Sequence, residues 1–310
     1  MPFLPVGGQA VIEGVMMRSP SKMAVAVRRG DGSLAMMERP FVSITRKGIL
    51  SWPVIRGAVS LFETLYLGTT ALNFSADEAS KEGEHQPSQS GALQGLLQTG
   101  AMLFAFAIGL LLFVVLPARV TAWLGVNGRI GFGLVDGGFR LLAFVLYLLL
   151  IRQWKEMARV LGFHGAEHKA IHALENGAPL TPESVQTFSR FHPRCGTSFL
   201  FLVVVISIVA FSLIGKPRGI GDHLLRIACM PLVVGVAFEF IRLSGKYADR
   251  PLMRALIWPG LQFQRLTTRE PDLTMCSVAI SALKQVRNDE VVLRLEAAGD
   301  RARGEVAFIQ

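Results

Sequence analysis

The chain has 310 residues, of which 51% are hydrophobic and only 18% charged, whereas a soluble globular domain carries charge on about a quarter of its residues. Its net charge of +9 comes with no basic helix of base-reading character and no aromatic stacking motif, so nucleic acid is not an expected partner. Lys and Arg instead gather in the cytoplasmic segments of membrane proteins, where they meet anionic headgroups. Three widely spaced cysteines, Cys195, Cys229 and Cys276, argue against a disulfide framework and suit a reducing compartment.

The fold class expected is a mainly α integral membrane protein with about four transmembrane helices, a small N-terminal antiparallel β element and cytoplasmic helices. Residues 1–50 predict a cytoplasmic β meander. Its short apolar segments, Ala10–Met17, Met23–Val27 and Ser33–Met37, are broken by Ser19-Pro20-Ser21 and Gly30-Asp31-Gly32. The opening MPFLPVGGQ has neither a basic n-region nor an apolar h-region, so insertion is expected to use internal segments. Residues 51–74 predict an amphipathic helix, Pro53–Leu72, interrupted by Arg56 and Glu63. It lies at the membrane interface or packs on the meander. Residues 75–95 are polar and read as a linker.

A transmembrane bundle is expected over residues 96–245. Crossing the hydrocarbon takes about 20 apolar residues in a helix. Gly91–Ala118 and Thr197–Ile214 contain no charge and are apolar on every face. Ile130–Ile151 carries Asp136 and Arg140, and the span from about Ile227 to Leu243 carries Glu239. These two also fit buried core helices. Glu239 either faces the bundle interior or meets Arg242 at the interface. The loop between the second and third spans, residues 152–196, holds Arg152, Lys155, Arg159, Lys169, Arg190 and Arg194. That bias predicts a cytoplasmic N-terminus, central loop and C-terminal region (246–310). The C-terminal region predicts a short helix near Leu252–Ile257 and a loop at Trp258-Pro259-Gly260. A helix near Met275–Arg287 and a frayed polar end, Glu290–Gln310, follow.

Four of six histidines fall between residues 164 and 192. On a helix His164 and His168 lie one turn apart and face the same way. Two imidazoles so spaced can chelate one metal ion, with Glu167 beside them as general base for an attacking water or as a ligand. This is the His-x-x-Glu-His order of inverted zinc metallopeptidases. His192 and Cys195, on a turn before the third span, could complete a tetrahedral site for a divalent ion, zinc by its ligand types. The alternatives are a polar helix face hydrogen-bonding at the membrane surface, or a Cys195 nucleophile activated by His192. His172 extends the same helix face.

Four blocks, GGQAVIEGVMMR (7–18), HGAEHK (164–169), HPRCGTSF (192–199) and TTREP (267–271), together resemble the bacterial YqhQ-like family. This is a membrane domain of unknown function labelled a predicted metal-dependent enzyme. The resemblance runs over nearly the whole chain. It implies several spans in the bacterial cytoplasmic membrane and a metal site. Glu13 and Arg18 match the first block, and His164, Glu167 and His168 the second. His192, Arg194 and Cys195 match the third, and Arg269 and Glu270 the last. His172 lies outside the matching blocks. The segment after Pro271 is less acidic than in similar proteins, so a second cation site built from acids there is not expected. Glu13 and Arg18, if they face inward, should pair with each other or with Arg269 and Glu270. Two functions fit. One is a metal-dependent hydrolase at the membrane surface with a peptide or lipid substrate and Glu167 as base. The other is a non-enzymic scaffold or assembly factor with a structural metal.

Overall fold

The computed structural model of the protein describes residues 4, 6–46, 48–80, 92–193, 195–247 and 250–288. Arg194 and the segments 81–91 and 289–310, expected as linker and frayed end, lie outside the described residues.

The N-terminal apolar segments form an antiparallel sheet in sequence order: β1 (Gly7–Val11), β2 (Gly14–Arg18), β3 (Lys22–Arg28) and β4 (Leu34–Pro40). Alternation assigns its two faces. Val15, Met17, Ala24 and Ala26 enter one core with Phe163, Ala166 and Ala170. Val11, Met16, Val25 and Val27 enter another with Leu67 and Ala71. Burial on both faces is why β2 and β3 read as nearly unbroken apolar runs rather than as alternating strands.

Helix α1 (Ile55–Ala79) covers the second face. It continues about two turns beyond the Leu72 expected from sequence, into residues that read as linker. The polar residues there serve the sheet. Ser75 Oγ accepts the Ile12 amide at 3.3 Å, and Glu78 meets Arg29 at 2.6 Å. The start of α1 is clamped by Glu239, which accepts from Arg56 Nε at 2.7 Å and from the Val54 amide. Glu239 thus takes its ion pair from α1, the helix packed against its own.

Four helices among the described residues are long and apolar enough to cross a membrane: Thr99–Trp123, Arg129–Ile151, Gly196–Ile214 and Ile220–Ser244. The first joins α2 (Ala92–Leu110), a π-turn at Leu111–Val115 and α3 (Leu116–Trp123). The second is α4 (Arg129–Ile151). Helices α5 (Lys155–Glu175) and α6 (Pro182–Gln186) fill the central loop. The third is α7 (Gly196–Ile214), and the fourth joins α8 (Ile220–Ala228) to α9 (Met230–Lys246). Gly133 and Gly137 let α4 approach α7, because a Cβ at Gly137 would stand 2.3 Å from Ile208 Cγ1.

Asp136 and Arg140 of the second of these helices and Arg226 of the fourth are paired inside the bundle. Asp136 and Arg226 are each 1% exposed. Asp136 accepts from Arg140 Nε at 3.1 Å and from Arg226 Nη1 at 3.3 Å. Pro117 lacks the N–H that an α-helix would aim at the Phe113 carbonyl, and Arg140 Nη1 supplies a donor there at 3.0 Å. Arg226 also donates to the Gly215 carbonyl at 2.5 Å.

Helix α10 (Pro251–Thr267) runs straight through Trp258-Pro259-Gly260, where a loop is expected from sequence. Packing overrides the proline. An added Cβ at Gly260 would meet Ser198 at 3.1 Å, and the fully buried Gln264 bonds Ser198 Oγ at 3.1 Å. Helix α11 (Leu273–Arg287) starts on the Asp272 cap, which accepts the Met275 amide at 2.7 Å. It packs with α5 against the first sheet face.

Replacing Asp136 with Ala leaves two buried guanidinium groups without their carboxylate. A loss of about 3–5 kcal/mol is expected, read from denaturant unfolding of the purified protein. An unchanged midpoint would refute the pairing.

Candidate metal centre

Helix α5 carries the site. Its residues 161–171 are buried except for His164, which is half-buried, because the sheet, α11 and the segment after α10 all press on it. That segment approaches through Gly165. A Cβ there would lie 2.1 Å from the Arg269 carbonyl oxygen. The Arg269 amide donates to the Leu161 carbonyl at 2.8 Å, and its guanidinium donates to the Arg152 carbonyl at 2.6 Å.

This approach sets the imidazoles. His164 Nδ1 lies 2.7 Å from the Thr267 carbonyl and His168 Nδ1 lies 2.6 Å from the Arg190 carbonyl. A carbonyl only accepts, so both Nδ1 atoms carry the proton and both Nε2 atoms are left to bind elsewhere. Cys195 supplies the third donor. Its Sγ is 3.2 Å from His164 Nε2, and it caps the start of α7, accepting the Thr197 amide at 3.4 Å. Donor atoms of His164, His168 and Cys195 all lie within 4.8 Å of one another.

The electrostatics follow from burial and contact. Burial by itself would raise the Cys195 thiol, but His168 and His164 outweigh it and hold the thiol well below its ordinary value. Burial lowers His164, yet the Cys195 charge and hydrogen bond, with Glu167, carry it up to about 9. Each group thus favours the charged form of the other, a thiolate facing an imidazolium. Imidazole nitrogen with thiolate sulfur suits zinc and similar divalent ions. The donor set fits such an ion, and the carbonyl-held Nδ1 atoms would be the outer contacts that keep the ligating rings in place.

Glu167 is 5% exposed. Burial raises its carboxyl above the ordinary value, against the pull of His164 and His168. The Gly8 amide hydrogen-bonds the carboxylate, while Oε2 has no hydrogen-bond partner among the described residues. Gly8 must be glycine for this contact, since a Cβ would sit 3.0 Å from Glu167 Cδ and 2.7 Å from the Met16 carbonyl.

His192 stands beside the group, its ring centroid 5.7 Å from that of His168. Its donor atoms fall instead with His172 and Glu175, since one further turn of α5 brings these to the loop that carries His192. Sequence reading set His172 aside and did not single out Glu175, although both continue the 164–168 stripe at helical spacing. Glu13 and Arg18 do not reach Arg269 or Glu270. Glu13 pairs with Arg159 of α5 and with Arg28, while Arg18 faces Glu63. Glu270 instead holds Lys169 and lies 3.9 Å from Arg190. Arg269 and Glu270 thus brace α5 and the His192 loop rather than the sheet.

A sequence profile of the family described as protein of unknown function (DUF1385) matches residues 52–289. The chain belongs to this family. It is also 31% identical over 311 residues to "Uncharacterized protein YqhQ" of Bacillus subtilis (strain 168), covering 95% of this chain and 94% of that one. No solved structure matches it significantly. The profile covers α5, Cys195 and the Thr267–Pro271 segment, so the three-donor group lies wholly within the family's shared region.

Gly165→Ala is expected to push the Arg269 backbone off α5 and destabilise the fold by about 1–3 kcal/mol. Gly138→Ala, where a Cβ meets nothing within 4 Å, is the control. Equal unfolding midpoints for the two variants would dismiss the close approach.

Proposed function

We propose that the protein is a four-span membrane protein whose cytoplasmic face carries a metal-dependent hydrolase site acting on a peptide or lipid at the bilayer surface. The observation that carries this reading is the pair of carbonyl-held imidazoles turned on one thiolate. It is an arrangement of three protein donors, which in zinc enzymes leaves a fourth position for chemistry. His164, His168 and Cys195 would hold a divalent ion, zinc by ligand type, and the ion would supply Lewis-acid polarisation of a substrate carbonyl or phosphoryl oxygen.

Glu167 is the general base. Its Oε2 is buried and has no hydrogen-bond partner among the described residues, and burial raises its carboxyl above the ordinary value, the direction a general base needs. The Gly8 amide orients the carboxylate and ties it to the sheet. The topology supports a single site. The sheet with α1, the α5–α6 segment and the α11 segment are separated in sequence by pairs of span-length helices, yet pack into one body. Four crossings would leave all three on one side, and the Lys and Arg of the central segment favour the cytoplasm.

A structural metal in a non-enzymic scaffold is the second reading, favoured by the burial of His168 and Cys195. Coordination number separates the two. X-ray absorption on protein purified without a His-tag is expected to show nitrogen and sulfur donors together with at least one light non-protein ligand. A shell filled by protein atoms favours the scaffold. Glu167→Gln is expected to retain the metal while slowing hydrolysis of a responsive membrane peptide or lipid by about 10²–10⁴-fold. Full activity with Gln removes the base assignment. Failure of any transition metal to co-purify, with His164→Ala indistinguishable from wild type, removes both readings.

A further inference from the structure

Helix α5 carries donors beyond the first group. His164, His168, His172 and Glu175 follow one another at spacings of four, four and three residues, which keeps them on one stripe. Ring centroids mark the continuity: 4.5 Å from His164 to His168, 5.7 Å from His168 to His192 and 4.5 Å from His172 to His192. The second part of the stripe meets His192, not Cys195. Donor atoms of His172, Glu175 and His192 lie within 4.8 Å of one another, and His192 and Glu175 are buried.

The residues of this group are held in place by the surrounding backbone. His192 is clamped at both ends of its backbone by one side chain. Its amide donates to Gln264 Oε1 at 2.8 Å, and Gln264 Nε2 donates to its carbonyl at 2.6 Å. His172 Nε2 lies 2.9 Å from the Phe191 carbonyl, so Nε2 carries the proton and Nδ1 is the acceptor. His192 Nε2 and Glu175 Oε2 stand 3.3 Å apart. Two donors on one tetrahedral ion with bonds of about 2.0–2.1 Å are separated by about 3.3–3.4 Å.

We propose that His172, Glu175 and His192 form a second divalent-cation site, beside the first along α5. The inference rests on the first site being a metal site, and deepens it. The two sites differ in chemistry. The first offers a soft thiolate and selects zinc-like ions. The second offers two imidazoles and a carboxylate, a set that takes zinc and also iron(II) or manganese(II).

The test is a Co²⁺ titration of the full-length chain, purified in detergent without a His-tag and stripped with chelator. Two equivalents are expected at saturation, only one of them raising a near-ultraviolet thiolate-to-cobalt charge-transfer band. The His172→Asn, Glu175→Gln double variant is expected to bind one equivalent with the band intact. The His164→Asn, Cys195→Ser double variant is expected to bind one without it. Wild-type saturation at one equivalent with the band overturns the second site and leaves the first standing, and this measurement needs no variant. Two equivalents in the His172→Asn, Glu175→Gln protein also overturn it. No bound cobalt at all removes the first site and this inference together.

Discussion

Two main-chain carbonyls fix the imidazoles of the candidate site. Thr267 and Arg190 each hold the Nδ1 hydrogen of an imidazole on α5. A ring so held has one tautomer and one orientation, and its Nε2 can only face the remaining space. That space contains the Cys195 thiol. Most of the surrounding structure serves to bring these carbonyls to α5. Gly165 admits the backbone at Arg269, and Glu270 and Lys169 join that segment to the helix. Gln264 fixes the loop that runs through His192. The α5 helix is therefore a rail between a sheet on one side and two returning segments on the other.

The bundle solves a different problem by related means. Asp136, Arg140 and Arg226 are costly to bury and costlier to leave apart. They draw α4, α8 and the π-turn of the first span-length helix to one point. The π-turn is not a flaw in the helix. It precedes Pro117, which cannot donate to Phe113, and Arg140 completes the missing hydrogen bond. Glu239 does the same work at the other end of the fourth helix, where it ties α9 to α1.

Much of the architecture was legible because its signals are local. Hydropathy over about 20 residues marks a span-length helix whatever surrounds it. Short apolar runs broken by Ser-Pro-Ser and Gly-Asp-Gly mark a meander. The i, i+4 spacing of His164 and His168 puts two imidazoles on one face without any tertiary information. The misreadings have a common cause. Ser75 and Glu78 look like linker until Ile12 and Arg29 are opposite them. Pro259 looks like a break until Ser198 is packed against Gly260.

The sequence by itself therefore determined the elements: four apolar helices of membrane length, a small antiparallel sheet and a histidine stripe. Each follows from the side chains of one segment and the fixed repeat of its backbone. Only the tertiary structure decided the partners. It paired Glu13 with Arg159, Glu239 with Arg56, Cys195 with His164, and His192 with Glu175. Hydrogen bonds and ion pairs act over a few ångströms. Residues tens to hundreds of positions apart come within that reach only after the chain has packed, and no local pattern records which of them will meet.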